Sequence, residues 1–236
     1  MSRILAISPH LDDAAFSAGG YLASRARAGD EVTILTCFTG NVKQPEGFAL
    51  ACQLDKGLGP DVDYMALRRE EDEKACAVIE ATPVHLPFLE APHRGYDSAP
   101  ALFAGRRDDD GVVEDLRLAL ERIVADLAPD VILGPLCIGN HVDHYAVRDA
   151  MAGLGKAMFW QDWPYLDRSE RPAECEPAMM HRLSEHDRAD RLAMCEAYAS
   201  QLGFQFGGRD KLRARLAAIE SETFFSSEDA ESASIQ

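Results

Sequence analysis

The sequence lacks the features that mark membrane and secreted proteins. Its 236 residues contain no apolar run that approaches the roughly 20 residues of a membrane-spanning helix, and the short apolar run near its start does not make a signal peptide. No low-complexity tract and no internal repeat interrupts the sequence. We therefore expect a globular protein of the cytoplasm that does not span a membrane.

Basic residues are also few. The sequence has 24 lysines and arginines against 40 aspartates and glutamates, which gives a formal net charge of −16. Such a surface repels nucleic acid and anionic membranes, so neither is expected as a main partner. A small-molecule partner remains, and a homo-oligomer is compatible with the sequence.

Two common motifs are absent. No C-x-x-C pair occurs among the cysteines, which argues against a zinc finger and favours reduced thiols in a cytosol. No G-x-G-x-x-G follows the first apolar run, which argues against a dinucleotide-binding module. The six cysteines are scattered over the chain: Cys37, Cys52, Cys76, Cys137, Cys175 and Cys195.

What the sequence does contain is an alternation of apolar runs and amphipathic stretches. This alternation predicts an α/β fold, a single-domain Rossmann-like three-layer sandwich with a mostly parallel sheet. The strands are predicted at 3–8, 31–38, 82–88 and 130–136, and the helices at 14–28, 66–81 and 113–127. Further along, helices are predicted at 144–154, 185–202 and 209–224, with a strand that passes into a loop within 156–166.

The same pattern sets the expected domain limits. Residues 1–225 are predicted to form the domain, and the acidic residues 226–236 a flexible tail. Long segments at 39–65 and 89–112 follow the second and third strands. They lie at the carboxyl ends of the strands, where open α/β sheets bind ligands, so we expect them to determine specificity.

Two polar clusters follow buried strands. "SPHLDD" comes directly after the first strand, and "GNHVDH" comes after the fourth. Each cluster alone could be a helix-capping turn, because aspartate is favoured at helix starts. Together at one sheet edge they can face one pocket, and histidines with one carboxylate suit a catalytic zinc ion. The residues concerned are His10, Asp12 and Asp13 in the first cluster and His141, Asp143 and His144 in the second.

These motifs resemble those of the LmbE-like, or PIG-L, de-N-acetylases. The first motif of that family reads approximately [A/S]-H-P-D-D with a glycine pair downstream, similar to "SPHLDD" followed by "SAGG", although Leu11 replaces the proline. The second, H-x-D-H, matches "HVDH". An R-x-x-E-x-x-x-A helix is matched by Arg68, Glu71 and Ala75, and "QDWPY" at 161–165 matches one branch of the family. The resemblance spans residues 3 to 165.

The resemblance implies a zinc-dependent amidohydrolase, a deacetylase that acts on an N-acetylated amino sugar or its conjugate, of N-acetylglucosaminide type. It implies that Asp12 is the general base and then the general acid, and that Asp143 orients a histidine. His141 would stabilise the oxyanion, either as a hydrogen-bond donor or as an imidazolium. The resemblance also implies one zinc ion per chain, although other divalent ions are compatible with the site. The ligands of this ion would be His10, Asp13 and His144.

Four further residues are candidates for substrate contacts: Arg68, His93, Arg94 and Trp163. For each of them an ordinary structural role is the competing interpretation. Two other functions stay open at this point. A metal-dependent phosphoesterase would need a second metal and more acids, and a non-catalytic sugar-binding relative would have no use for Asp12 as a base.

Overall fold

The predicted strands form one sheet in a computed structural model of the chain, which describes residues 1–169 and 176–227. Within these residues the strands are β1 (Arg3–Ser8), β2 (Glu31–Thr36), β3 (Thr82–His85), β4 (Val131–Pro135), β5 (Ala157–Trp160), β6 (Met179–Arg182) and β7 (Ser221–Ser226). Their order across the sheet is β3-β2-β1-β4-β5-β7-β6. The first five strands pair in parallel, and β7 pairs antiparallel with β5 and β6. The prediction of a mostly parallel sheet is confirmed.

Helices cover both faces of this sheet. The described helices are α1 (Asp13–Arg27), α2 (Gly47–Asp55), α3 (Tyr64–Val78), α4 (Val112–Leu127), α5 (Val142–Ala150), α6 (Glu185–Ala197), α7 (Ala199–Phe206) and α8 (Arg209–Ala217). Side chains of a strand alternate between faces, so Ile4 and Ala6 pack with α1, α3, α6, α7 and α8, whereas Leu5 and Ile7 pack with α4 and α5. The predicted three-layer sandwich is confirmed. None of the described helices combines the length and apolarity needed to cross a membrane.

Several predicted elements differ from the structure. The helix expected at 209–224 ends at Ala217, and Ser221–Ser226 is strand β7, whose Phe224 and Phe225 pack on opposite faces of the sheet. The helix expected at 185–202 is interrupted at Tyr198, where the hydroxyl donates to Asp72 of α3. The segment 39–65 contains helix α2, and 89–112 contains two short 3-10 helices. Of the predicted acidic tail, residues 228–236 lie outside the described residues.

A buried ion pair fixes helix α1 against the rest of the fold. The Glu222 carboxylate accepts the backbone N–H groups of Gly20 and Tyr21, at 2.8 and 2.6 Å, and lies 3.2 Å from Nε of Arg191. A Cβ at Gly20 would lie 2.3 Å from Cδ2 of Leu183 and 3.0 Å from the Glu222 carboxylate. The second glycine of "SAGG" therefore lets β7 and the Leu183 side chain approach the helix.

We expect Gly20→Ala to destabilise the protein, because overpacking a well-filled interior usually costs about 1–3 kcal/mol and the gain of up to about 1 kcal/mol from replacing a helical glycine offsets only part of this cost. Gly203→Ala is the matched control, because it also lies in a helix but has no atom within 4 Å of a Cβ. Removing that glycine should stabilise its helix by up to about 1 kcal/mol. Urea unfolding of both variants tests this, and a Gly20→Ala protein as stable as wild type would contradict the packing argument.

Candidate metal centre and active site

The two polar clusters meet at one edge of the sheet. Strands β1 and β4 are parallel neighbours, so their carboxyl ends lie side by side. The "HLDD" turn follows β1 and continues into α1, which begins at Asp13, while "HVDH" follows β4 and continues into α5. The predicted convergence of the clusters is confirmed.

Three side chains converge on one point. Oδ2 of Asp13 lies 3.1 Å from Nδ1 of His10 and 3.3 Å from Nε2 of His144. The ligand atoms of these residues all lie within 4.8 Å of one another. Nε2 of His144 is buried and has no hydrogen-bond partner in the part of the chain that the structure describes. This arrangement leaves donor atoms facing a common centre.

The outer nitrogen of each histidine is held by a second carboxylate. Nε2 of His10 lies 3.0 Å from Oδ2 of Asp143, and Nδ1 of His144 lies 2.8 Å from Oδ1 of Asp162. A histidine that donates its outer N–H to a carboxylate turns the lone pair of its inner nitrogen toward the centre. This pattern is typical of metal-binding histidines, so the donor set fits a divalent ion.

A second group, His10 with His141 and Asp143, is also close enough to hold an ion. Its carboxylate is already occupied, however. Oδ2 of Asp143 contacts His10 and accepts the backbone N–H of Ala91 at 3.1 Å, and Oδ1 lies 2.9 Å from the Arg94 guanidinium. The group around Asp13 therefore suits a metal better, and Asp143 is placed to orient His10.

The electrostatics of this centre favour positive charge. Burial lowers the pKa of the His144 ring, but the effect of the Asp13 and Asp162 carboxylates is larger, and together they raise this pKa to about 9. Burial likewise opposes ionisation of Asp13, yet the His144 and His10 rings hold its pKa well below the usual range. Carboxylates on both sides of each ring thus attract either protons or a cation to this place.

Asp12 lies next to this centre and faces a cavity. Its side chain is buried, and Oδ2 accepts a hydrogen bond of 3.1 Å from Nε2 of Gln205 and lies 3.1 Å from the Arg68 guanidinium. Burial raises the pKa of Asp12 to about 7, although the Arg68 charge opposes the rise. The backbone φ of Asp12 is 157°, a conformation that is costly for a residue with a Cβ and that often occurs at functional sites.

His141 caps helix α5 and is buried. Its Nδ1 accepts the backbone N–H of Asp143 at 3.2 Å, and burial lowers the pKa of His141 to about 3. Both observations favour a neutral ring with its proton on Nε2. Of the two forms considered from the sequence, they favour the hydrogen-bond donor over the imidazolium.

The four candidate substrate residues occupy different places. Arg68 lines the cavity and donates to Glu90 and to the carbonyl of Leu11. His93 borders a neighbouring small cavity. The guanidinium of Arg94 lies against Asp143 and Asp110.

The fourth candidate, Trp163, lies in the core. It is 4% exposed and stacks on Phe206 with the ring centres 5.0 Å apart. Its indole N–H donates to Asp167. This position corrects the prediction of a substrate contact, because Trp163 belongs to the hydrophobic core and does not line the cleft.

Three residues of the site are not among the site residues predicted from the sequence. Asp162 belongs to "QDWPY", a motif that suggested no role for its acid, and Tyr165 of the same motif packs 5.2 Å from the His144 ring. Tyr165 can do so because Gly139 has no Cβ, which would lie 2.6 Å from the Tyr165 ring. Gln205 carries no motif, and only the folded chain brings it to Asp12.

The chain is similar to several known deacetylases. The 2'-N-acetylparomamine deacetylase of Streptomyces fradiae is 34% identical over 171 residues, which are 69% of this chain and 57% of that protein. The chain thus spans less than two thirds of this curated relative.

Two solved structures cover the chain more fully. The A40926 pseudoaglycone deacetylase Dbv21 has a TM-score of 0.79 at 32% identity, covering 94% of this chain and 96% of that one. The zinc-inhibited form of teicoplanin deacetylase Orf2 has a TM-score of 0.81 at 25% identity, covering 95% and 97%.

The family match is the most direct of these findings. Residues 5–154 match the family described as PIG-L: GlcNAc-PI de-N-acetylase. The matched region makes up more than half of the chain and contains both polar clusters. The chain therefore belongs to the PIG-L family.

Proposed function

We propose that this protein is a metal-dependent hydrolase that removes the acetyl group from an N-acetylated amino sugar or its conjugate. The observation that carries the proposal is the convergence of His10, Asp13 and His144, with each histidine held from behind by a carboxylate. Family membership and the deacetylase relatives support the same reaction class.

In this proposal His10 (through Nδ1), Asp13 (through Oδ2) and His144 (through Nε2) would hold one zinc ion. Three protein ligands would leave a position open, as catalytic zinc sites require. When bound, the ion would polarise the amide carbonyl and acidify a water molecule. Asp143 holds the ring of His10 in place, and Asp162 holds the ring of His144.

We also assign the protein to the cytoplasm, which suits the free thiols of the five cysteines in the described residues.

Asp12 and His141 would perform the proton transfer and the charge stabilisation. Asp12 faces the cavity beside the metal centre, where it can take a proton from the attacking water and pass it to the leaving amine. The neutral His141 ring presents its Nε2–H as a donor to the carbonyl oxygen on which negative charge develops. Arg68 and Gln205 hold the Asp12 carboxylate in place.

The decisive experiment measures acetate release from a panel of N-acetylglucosamine conjugates, with the metal content determined on the same preparation. The proposal expects acetate release and a metal-to-chain ratio near one. A ratio near two together with phosphate-ester hydrolysis would favour a phosphoesterase instead. Sugar binding without any acetate release would favour a non-catalytic relative.

We expect His144→Ala to lose the bound metal, because this substitution removes a ligand. Asp162→Asn should weaken metal affinity by about 10–100-fold, the usual effect of removing the hydrogen-bond partner of a metal-binding histidine. Asp149→Asn is the control, because Asp149 pairs with Arg106 away from the centre. Competition with a chromophoric chelator measures all three affinities. Unchanged affinity in His144→Ala would reject the ligand assignment.

Asp12→Asn should keep its metal and lose turnover by about 10²–10⁴-fold, because asparagine preserves the size of the side chain but cannot accept a proton. Elemental analysis and steady-state kinetics on one preparation distinguish the two effects. If metal and activity disappear together, Asp12 is a ligand and the assignment as base is wrong.

For His141→Ala we expect full metal content, a nearly unchanged KM and a fall in kcat of about 10²–10³-fold, as for the loss of one oxyanion donor. His141→Gln, which restores an N–H donor of similar reach, should recover part of kcat. A near-normal kcat in His141→Ala would mean that His141 only packs beside the site.

A further inference from the structure

The cavity above the metal centre changes character between its floor and its mouth. It is a cleft with a cavity volume of about 220 Å³. The floor consists of the histidines and aspartates of the metal centre. The mouth is built mainly from apolar and aromatic side chains of the 39–65 segment, the 89–112 segment and helix α7.

Two phenylalanines of the mouth are exposed. Phe103 is 43% exposed and its ring centre lies 5.3 Å from that of His141, so it connects the mouth directly to the reaction centre. Phe204 on α7 is 59% exposed and lines the same cleft. Single exposed apolar side chains are ordinary, but two that line one cleft above a polar centre point to a ligand.

The charged side chains at the mouth of the cleft indicate whether a cationic ligand suits this place. Glu90, whose carboxylate lines the cleft, is paired with Arg68 at 3.0 Å. Lys56 has no carboxylate within ion-pair distance among the described residues; Nζ donates to the carbonyl of Cys52 and lies 4.8 Å from the centre of the Phe204 ring. A net charge of −16 alone would favour a cationic ligand. Among the described residues that line the mouth, however, a cation would meet the Lys56 ammonium, and the Glu90 carboxylate is already paired with Arg68.

We propose that this mouth binds an aromatic aglycone on the amino-sugar conjugate, which stacks on Phe103 and Phe204 and lies within reach of the Lys56 ammonium. The inference rests on the proposed deacetylase function, since the acetamido sugar would occupy the floor. Ring faces offer flat apolar area, and an ammonium is attracted to the face of an aromatic ring. Specificity is thereby assigned to the aglycone rather than to the sugar alone.

The test uses three N-acetyl-β-D-glucosaminides that differ only in the aglycone: phenyl, methyl and 2-aminoethyl. For the metal-loaded wild-type protein, kcat/KM is measured by release of acetate, because the 2-aminoethyl glycoside carries a free amine before turnover. Titration calorimetry with Asp12→Asn measures binding of the same glycosides without turnover. Phe103→Ala and Phe204→Ala are compared with Leu118→Ala, which removes a 40%-exposed side chain of α4 that does not line the cleft.

The proposal expects the phenyl glycoside to be preferred over the methyl and the 2-aminoethyl glycosides, in turnover and in binding. Each phenylalanine variant should lower the phenyl-to-methyl ratio by about two- to tenfold, and Leu118→Ala should leave it unchanged. A preference for the 2-aminoethyl glycoside, or a ratio unaffected in both phenylalanine variants, overturns it. If binding shows the phenylalanine-dependent preference but no glycoside is deacetylated, the aromatic site stands and the proposed function fails.

Discussion

The contact of His10 and His144 with the single carboxylate of Asp13 is the constraint on which much of this fold depends. Together with the residues around it, this contact places four aspartates in one buried region, all at most 5% exposed: Asp12, Asp13, Asp143 and Asp162. Buried carboxylates are stable only when hydrogen bonds or positive charges compensate them. The sheet edge therefore has to supply cations and N–H groups as well as the reacting residues.

The surrounding segments supply this compensation. Helix α3 places Arg68 beside Asp12, and the 89–112 segment provides both the Ala91 N–H and the Arg94 guanidinium to Asp143. Asp162 accepts the backbone N–H of Ile138, from the loop that leads into α5. The 89–112 segment, which we expect to determine specificity, thus also stabilises the candidate metal centre. Arg94 is predicted to contact the substrate, but its guanidinium is paired with the carboxylates of Asp110 and Asp143.

The sequence predicted those parts of the site that depend on local pattern. Apolar runs locate the parallel strands, and a polar cluster directly after a strand must lie at its carboxyl end. The strand pattern alone therefore brings His10, Asp13 and His144 to one edge of the sheet. The resemblance then suggested their roles.

Contacts between distant parts of the chain could not be foreseen. Gln205 reaches Asp12 across 193 positions, and Glu222 binds the backbone of α1 across 202. Composition alone also cannot decide whether an aromatic side chain enters the core or a cavity. Trp163, predicted near the substrate, lies in the core, whereas Phe204, which belongs to no motif, lines the cleft.

The proposed metal ligands and base lie in one part of the chain, and several side chains that support them lie in another. The proposed ligands and the base lie within residues 5–154, where the family match falls. Asp162, Tyr165 and helix α7 follow it, and they supply the second partner of His144, the ring against that histidine and one wall of the mouth. The later elements therefore complete a site whose proposed ligands lie earlier in the chain: Asp162 orients His144, and Gln205 of α7 holds Asp12. The mouth draws on both parts, since Phe103 lies inside the matched region and Phe204 lies after it.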